Sequence, residues 1–338
     1  MKPLLIEIGT EEIPSGYIAG ALEAFKNLLQ QRLRQNRVEF GQVRTYGTPR
    51  RLALIADNVA EKQLPATEVI TGPPEQVAFE ADGSPGVAAR KFAEKSGVSV
   101  NRLRIRQTDK GRYVCAEKTD PGRRTAEVLR QILPGIVDSI PFPKTMRWGE
   151  LSVTFARPVH SLTVLHGSRS VCFSFGDVKS GRRTFGHRFM KPARIRLDTA
   201  DQYLEALADA YVLADIDQRR SVMYESMQRA VKKAGGCILE DPELVEINNN
   251  LVEYPAVVLG RFDEKFLELP REILVTAMRE HQRYFAVVNS RDEILPWFIS
   301  VNNTRAKDMS VVAAGHERVL RARLEDARFF YHTDLKTG

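Results

Sequence analysis

The chain has 338 residues, 43% of them apolar and 28% charged, which excludes a low-hydrophobicity disordered protein and suits two or three domains of ordinary size. Lys and Arg number 50 against 43 Asp and Glu, and the formal charge of +7 permits a polyanionic partner without requiring one. Three scattered cysteines, Cys115, Cys172 and Cys237, include no C-x-x-C pair, so neither a disulfide framework nor a zinc ribbon is indicated and a reducing cytoplasm is the natural setting.

Leu4 to Ile8 alternates apolar and polar residues as a strand does, and Glu7 stands where a signal peptide needs an unbroken apolar run. From Ser15 the period becomes helical, with Ile18, Leu22, Phe25, Leu29 and Leu33 on one stripe. Arg51 to Asp57 reads as a second strand. Residues 58–85 read as loop, broken by Pro65, Gly72-Pro73-Pro74 and Asp82-Gly83-Ser84-Pro85. A helix capped by Ser84 is expected through Ser96. Arg102–Thr108 and Arg112–Thr119 flank Asp109-Lys110-Gly111 as a hairpin. A helix over Arg124–Ser139 should be limited or kinked by Pro134, and Pro141 with Pro143 marks a boundary.

Strands follow at Ser152–Phe155, Ser161–Leu165, Val171–Phe175 and Thr184–Phe189, then helices over Ala200–Ala210 and Asp217–Lys233, the second closed by Gly235-Gly236. Val257–Gly260, Phe285–Val288 and Trp297–Val301 supply further strands. A last helix opens near Asp308, with Val312, Val319, Leu320, Leu324, Ala327, Phe330 and Tyr331 as its apolar face and Glu317–Arg321 as an i,i+4 pair. The expected class is α+β, multi-domain, with mixed short strands and helices, divided into 1–145, 146–307 and 308–338. No stretch approaches the roughly 18 apolar residues that a membrane span requires.

Gly181-Arg182-Arg183-Thr184-Phe185-Gly186-His187-Arg188 has the glycine spacing of a phosphate loop, but His187 and Arg188 stand where that loop needs Lys and Ser or Thr, and no helix pattern follows. A turn between strands with a basic rim remains, and Arg182, Arg183 and Arg188 are its candidates for RNA phosphate contact. Thr48-Pro49-Arg50-Arg51 precedes a strand. Neighbours on an extended chain face opposite ways, so at most one of Arg50 and Arg51 should serve a given site. Glu7, Glu11 and Glu12 bracket a strand end, where pairing with nearby arginines is favoured over acid/base work. His160 and His166 have no further ligands at metal-binding spacing. His281-Gln282-Arg283-Tyr284-Phe285 offers Arg283 and aromatic faces to RNA bases, or else a helix junction with Tyr284 or Phe285 in the core. Arg318, Arg321, Arg323 and Arg328 spread around the last helix and read as a solvated face.

Several of these stretches resemble the beta subunit of bacterial-type glycyl-tRNA synthetase. They are Glu7-Ile8-Gly9-Thr10-Glu11-Glu12-Ile13-Pro14, Thr48-Pro49-Arg50-Arg51-Leu52, Gly181 to Phe189, Asn250-Leu251-Val252-Glu253-Tyr254-Pro255, His281 to Phe285, and above all Gly315 to Leu335. The blocks run in order along nearly the whole chain. The resemblance implies a cytoplasmic assembly of two alpha and two beta chains. Its alpha chain holds the class II core in which glycine, ATP and Mg form glycyl-adenylate, and its beta chain binds tRNA(Gly). It implies no catalytic residue, cofactor or metal in this chain and no membrane. The family's longer beta chains continue into a helical HD-type domain and an anticodon-binding module, which are expected to lie outside these 338 residues. Part of the region, over 146–307, also resembles the editing-like module of the phenylalanyl-tRNA synthetase beta chain. An aminoacyl-tRNA editing hydrolase and a non-catalytic scaffold for the alpha chain are therefore alternative functions. On this reading Arg50, Arg51, Arg182, Arg183, Arg188 and Arg283 are RNA-binding candidates, and His187, His281, Arg318 and Arg321 structural or assembly candidates.

Overall fold

A computed structural model describes residues 1–80 and 82–337; Ala81 and Gly338 lie outside the described residues. Strand β1 (Lys2–Thr10) is the centre of a five-stranded antiparallel sheet. It is followed by helix α1 (Ser15–Gln35), β2 (Val43–Thr48) and β3 (Arg51–Val59). The expected stripe of α1 is buried in full. Next comes a small unit of β4 (Ala66–Pro74), α2 (Glu75–Ala78), α3 (Val87–Ser96), β5 (Arg104–Thr108) and β6 (Gly111–Asp120), with strand order β4-β6-β5. Helix α4 (Thr125–Asp138) then packs beside α1, and β7 (Val159–His166) and β8 (Arg169–Ser170) complete the first sheet in the order β2-β3-β1-β7-β8. That sheet takes strands from both sides of residue 145.

Two short ribbons come next: β9 (Ser174–Phe175) with β10 (Val178–Lys179), and β11 (Arg183–Phe185) with β12 (Arg194–Arg196). Helices α5 (Tyr203–Ala208) and α6 (Ile216–Lys232) lead into β13 (Cys237–Ile238), α7 (Pro242–Asn249), β14 (Ala256–Arg261), α8 (Arg271–Gln282), β15 (Phe285–Val288), β16 (Ile294–Asn302) and α9 (Met309–Thr337). The second large sheet has the order β13-β15-β16-β14. The class is therefore α+β, as the alternation of short strands and helices indicates.

Both faces of β1 are packed. Leu4, Ile6 and Ile8 enter a core shared with α1 and α4, while Leu5 enters a second core with Tyr203 and Leu207 of α5. In place of an alternation of apolar and polar faces, β1 has two packed faces, and Glu7, on the Leu5 face, is an interior charge.

The loop expected over 58–85 instead contains the nine-residue strand β4 and the short helix α2. β4 pairs with β6 from Ala66 to Thr71, and its prolines are tolerated because β4 is an edge strand whose ladder can lack a donor. Gly86, not Ser84, precedes α3, with no side-chain cap. Helix α4 continues past Pro134; the Arg130 carbonyl that loses its donor belongs to an exposed residue and can be hydrated. The strand expected over Ser152–Phe155 is reduced to a single bridge, Phe155 to Met146. The expected strands over Val171–Phe175 and Thr184–Phe189 shrink to Ser174–Phe175 and Arg183–Phe185. On α9, Leu320 and Leu324 are buried, whereas Val319 and Phe330 are exposed, so the packed stripe is narrower than expected. Glu317 accepts from the Arg261 amide at 2.8 Å, a tertiary bond in place of the local pair with Arg321.

The two large sheets are joined by buried polar links. Arg219 of α6 is fully buried and donates to the carbonyls of Asn249 (3.0 Å), Gly47 (2.8 Å) and Leu213. Burial lowers its pKa to about 10, still leaving it charged at neutral pH.

Candidate functional site

Glu7 is 1% exposed at the middle of β1. A carboxylate there must be compensated, since an unpaired buried charge costs several kcal/mol. Thr184 Oγ1 donates to Glu7 Oε2 at 2.8 Å and the Tyr203 hydroxyl at 2.7 Å. Thr163, directly opposite Glu7 in the register of β7, donates to the Arg183 carbonyl at 2.7 Å and lies 3.3 Å from Glu7 Oε1. Burial and the neighbouring Glu7 push the Tyr203 phenol well above its ordinary pKa, so it remains a donor.

Arg51 brings the countercharge. It opposes Gly9 in the β1–β3 register, on the same face of the sheet as Glu7. Its Nε lies 3.6 Å from Glu7 Oε2, Nη1 donates to Glu253 Oε1, and Nη2 donates to the Phe185 carbonyl. Thr48 Oγ1 also donates to Glu253 Oε1 at 2.9 Å. Burial acts to neutralise Arg51, but Glu253 and Glu7 outweigh it and hold the guanidinium charged.

This network floors a cavity of about 350 Å³. Around its mouth stand Glu11, Arg50, His160 and Arg188. Glu11 receives His160 Nε2 at 3.0 Å, Arg188 Nη1 at 3.4 Å and Arg50 Nη2 at 3.8 Å. Burial raises its pKa, but the His160 hydrogen bond and the charges of Arg50, His160 and Arg188 win, and it titrates below its ordinary value. Glu11 is therefore ionised at neutral pH and cannot act there as a general acid. Across the whole lining, three arginines (Arg50, Arg51, Arg188) face three glutamates (Glu7, Glu11, Glu253), with the two guanidiniums of Arg50 and Arg188 set against Glu11 at the mouth. Arg50 Nη1 is buried without a partner among the described residues. No group of three or more His, Cys, Asp or Glu among the described residues is placed to hold a metal.

Both Arg50 and Arg51 border this cavity. The expectation that at most one could serve a given site fails because Arg50 sits in the turn between β2 and β3, where strand alternation does not apply.

A model of the glycyl-tRNA synthetase beta subunit family matches residues 4–338. The chain belongs to that family. The glycine–tRNA ligase beta subunit of Desulfatibacillum aliphaticivorans is 50% identical over 336 residues, which cover 99% of this chain and 49% of the relative. That of Desulforapulum autotrophicum is 49% identical over 337 residues, 100% of this chain and 49% of the relative. That of Syntrophotalea carbinolica is 44% identical over 333 residues, 98% and 48% respectively. The chain spans about half the length of the curated relatives it matches.

Within this family member the other candidates are dispersed. Arg183 lies on strand β11 and not in a turn, exposed and opposite Arg196, because the loop between β11 and β12 begins only at Gly186. Arg182 donates to the Ser168 carbonyl at 3.2 Å and is partly exposed. His187 is buried: its Nδ1 accepts from the Phe189 and Met190 amides at 3.2 Å each, which puts the proton on Nε2, 3.2 Å from Asn303 Oδ1. It fixes the loop. Arg283 closes α8 in a left-handed conformation (φ 58°), 3.5 Å from Glu280 and outside the cavity. Tyr284 and Phe285 are both in the core, and burial pushes the Tyr284 hydroxyl up to about 12. His281, Arg318 and Arg321 are exposed on α8 and α9. Among the described residues no helix is long and apolar enough to cross a membrane.

Sequence reasoning weighed Glu7 and Glu11 as arginine partners, and they are. It did not find Glu253, Tyr203, Thr48, Thr163 or Thr184 as members of one network. The available signal was a carboxylate inside an otherwise apolar strand, which calls for partners from elsewhere.

Proposed function

We propose that this chain is the N-terminal part of a glycyl-tRNA synthetase beta subunit, supporting ATP-dependent joining of glycine to tRNA(Gly). It does so by binding tRNA and by assembling with a catalytic alpha subunit, two of each chain forming the enzyme. The observation that carries the proposal is a family match running the length of the chain. Activation of glycine with ATP and Mg is assigned to the class II core of the alpha subunit, and no catalytic residue or cofactor to this chain. In support, Gly186 leads into a turn and not a helix, so the glycine spacing at 181–186 builds no phosphate cradle. The complex would work in the cytoplasm.

The RNA contact is placed on Arg50, Arg51, Arg182, Arg183, Arg188 and Arg283. Arg51 serves it through the floor of the cavity, since its own guanidinium is spent on Glu7 and Glu253. Exposed Arg183 and partly exposed Arg182, which gives up only a 3.2 Å bond to the Ser168 carbonyl and a 3.9 Å approach to Asp198, test this with little risk to the fold. Arg182→Ala/Arg183→Ala should weaken tRNA binding and flatten its salt dependence by roughly 1–2 in log–log slope, equally for cognate and non-cognate tRNA, because phosphate contacts carry no sequence information. The chain without alpha subunit should not exchange pyrophosphate into ATP with glycine. Exchange by a preparation free of alpha chain would defeat the division of labour. A normally folded double variant with the parental salt slope would remove this strand from the RNA site.

A further inference from the structure

The small sheet β4-β6-β5 carries α2 and α3 on one face, and its other face is open except at the buried Cys115 and half-buried Tyr113 of the middle strand β6. Val114 of β6 packs with Ala78 of α2 and Ala89 of α3, so even-numbered residues of β6 point to the helices. The register sets Arg104 opposite Cys115 and Arg106 opposite Tyr113, which puts both arginines on the other face. There Thr67, Val69, Thr71 and Glu117 are exposed as well, their register partners being the same odd-numbered set. An antiparallel sheet with one bare face is common, and charges along an edge strand can serve only to block aggregation. This edge departs from that pattern in its one-sided charge. Residues 102–112 hold Arg102, Arg104, Arg106, Lys110 and Arg112 against Asp109. Arg112 is paired with Glu75 at 2.9 Å, but Arg102, Arg104 and Arg106 are exposed and have no hydrogen-bond or ion-pair partner among the described residues. Alternate residues on a strand lie about 6.7 Å apart, the scale on which successive phosphates follow one another along a nucleic acid strand. Half-buried Tyr113 adjoins Arg106 across the ladder, an aromatic beside a cation of the kind that receives unpaired bases.

We propose that this open sheet face is an RNA-contacting surface separate from the Glu11 cavity, with Arg104 and Arg106 taking the phosphodiester backbone. The inference rests on the reading that the chain meets tRNA, and it adds a surface drawn from different elements.

The test is equilibrium binding of a tRNA(Gly) transcript to the 338-residue chain across a salt series, with three proteins: the parent, Arg104→Ala/Arg106→Ala, and Arg104→Lys/Arg106→Lys. Both arginines are exposed and unpaired, so melting should not change. The alanine variant should bind about tenfold or more weakly near 0.1 M salt, with a log–log slope shallower by roughly 1.5, since each phosphate left unneutralised removes about 0.7–0.9. The lysine variant should keep the parental slope. Val69→Glu, which adds a carboxylate to this face on the edge strand β4, should weaken binding in the same direction. Parental affinity and slope in the alanine variant, with Arg182→Ala/Arg183→Ala still impaired, would overturn this surface and leave the general tRNA reading standing. The same unchanged tRNA binding with weakened association to an alpha chain would make the face a protein interface, again overturning it. Absence of tRNA binding by the parent would defeat both.

Discussion

Arg51 donates to the carboxylate of Glu253, 202 residues further along the chain, and so ties the third strand of the first sheet to the loop ahead of β14. Both side chains are buried, and Glu7 lies against the same guanidinium. Replacing Arg51 with Met keeps volume but leaves two interior carboxylates without their cation. Loss of one partner of a buried pair typically costs about 3–5 kcal/mol. Arg51→Met should therefore lower the denaturation free energy by that order, and Arg51→Lys by less, since one ammonium can reach Glu253 but cannot span Glu253, Glu7 and the Phe185 carbonyl in the same planar fork. Denaturant unfolding decides the matter: a loss under about 1 kcal/mol for Arg51→Met would mean that the network is relaxed by water.

Gly186 has a packing role in place of the phosphate-loop role its spacing suggests. A Cβ built there would lie 2.3 Å from the Lys191 carbonyl oxygen and 2.9 Å from Ala210 Cβ. The first obstacle is backbone, held by the loop that His187 pins, and cannot swing away. Gly186→Ala should cost about 1–3 kcal/mol as an overpacked site, whereas Gly181→Ala, with open space around its Cβ, should be close to neutral. Equal melting temperatures for the two variants would contradict the packing argument.

Stability should fall as the solution is acidified from pH 7.5 to 5.5. Burial lowers the pKa of His166, whose Nε2 lies 3.2 Å from the Val59 carbonyl, and of His316, held between the Tyr284 hydroxyl at 2.7 Å and Asn302 at 2.9 Å. In the unfolded chain both titrate near 6.5. The native state then binds fewer protons than the unfolded state just below that value, so the stabilisation is complete above it and drains away as pH drops toward the native values. His316→Gln should show a shallower dependence of melting temperature on pH over this interval. An identical slope would assign the effect to other groups.

What could be read from the sequence is what repeats over short distances. The buried stripe of α1, the β5–β6 hairpin around Gly111, β15 and the α6 helix all follow from local period, turn chemistry and capping, which act within a few residues. Family membership was legible for a related reason: short blocks such as Gly315–Leu335 keep their order along the chain. The prolines around β4 misled because their cost depends on whether a strand lies at an edge or in the middle of a sheet, which is not a local property.

The cavity was decided only by tertiary structure. Glu7, Arg51 and Glu253 line it, held from behind by residues 48, 163, 184 and 203, and no spacing rule connects positions so far apart. Sequence by itself marked the Glu7 and Arg51 blocks by their resemblance to a known family and the chain as mixed α+β. That Glu7 faces a second core and not water, that Arg50 turns to the same cavity as Arg51, and that Arg104 and Arg106 lie on an uncovered sheet face depend on which elements pack together. Packing settles such questions because a charge is tolerated in the interior only where the folded chain brings its partners within hydrogen-bonding distance.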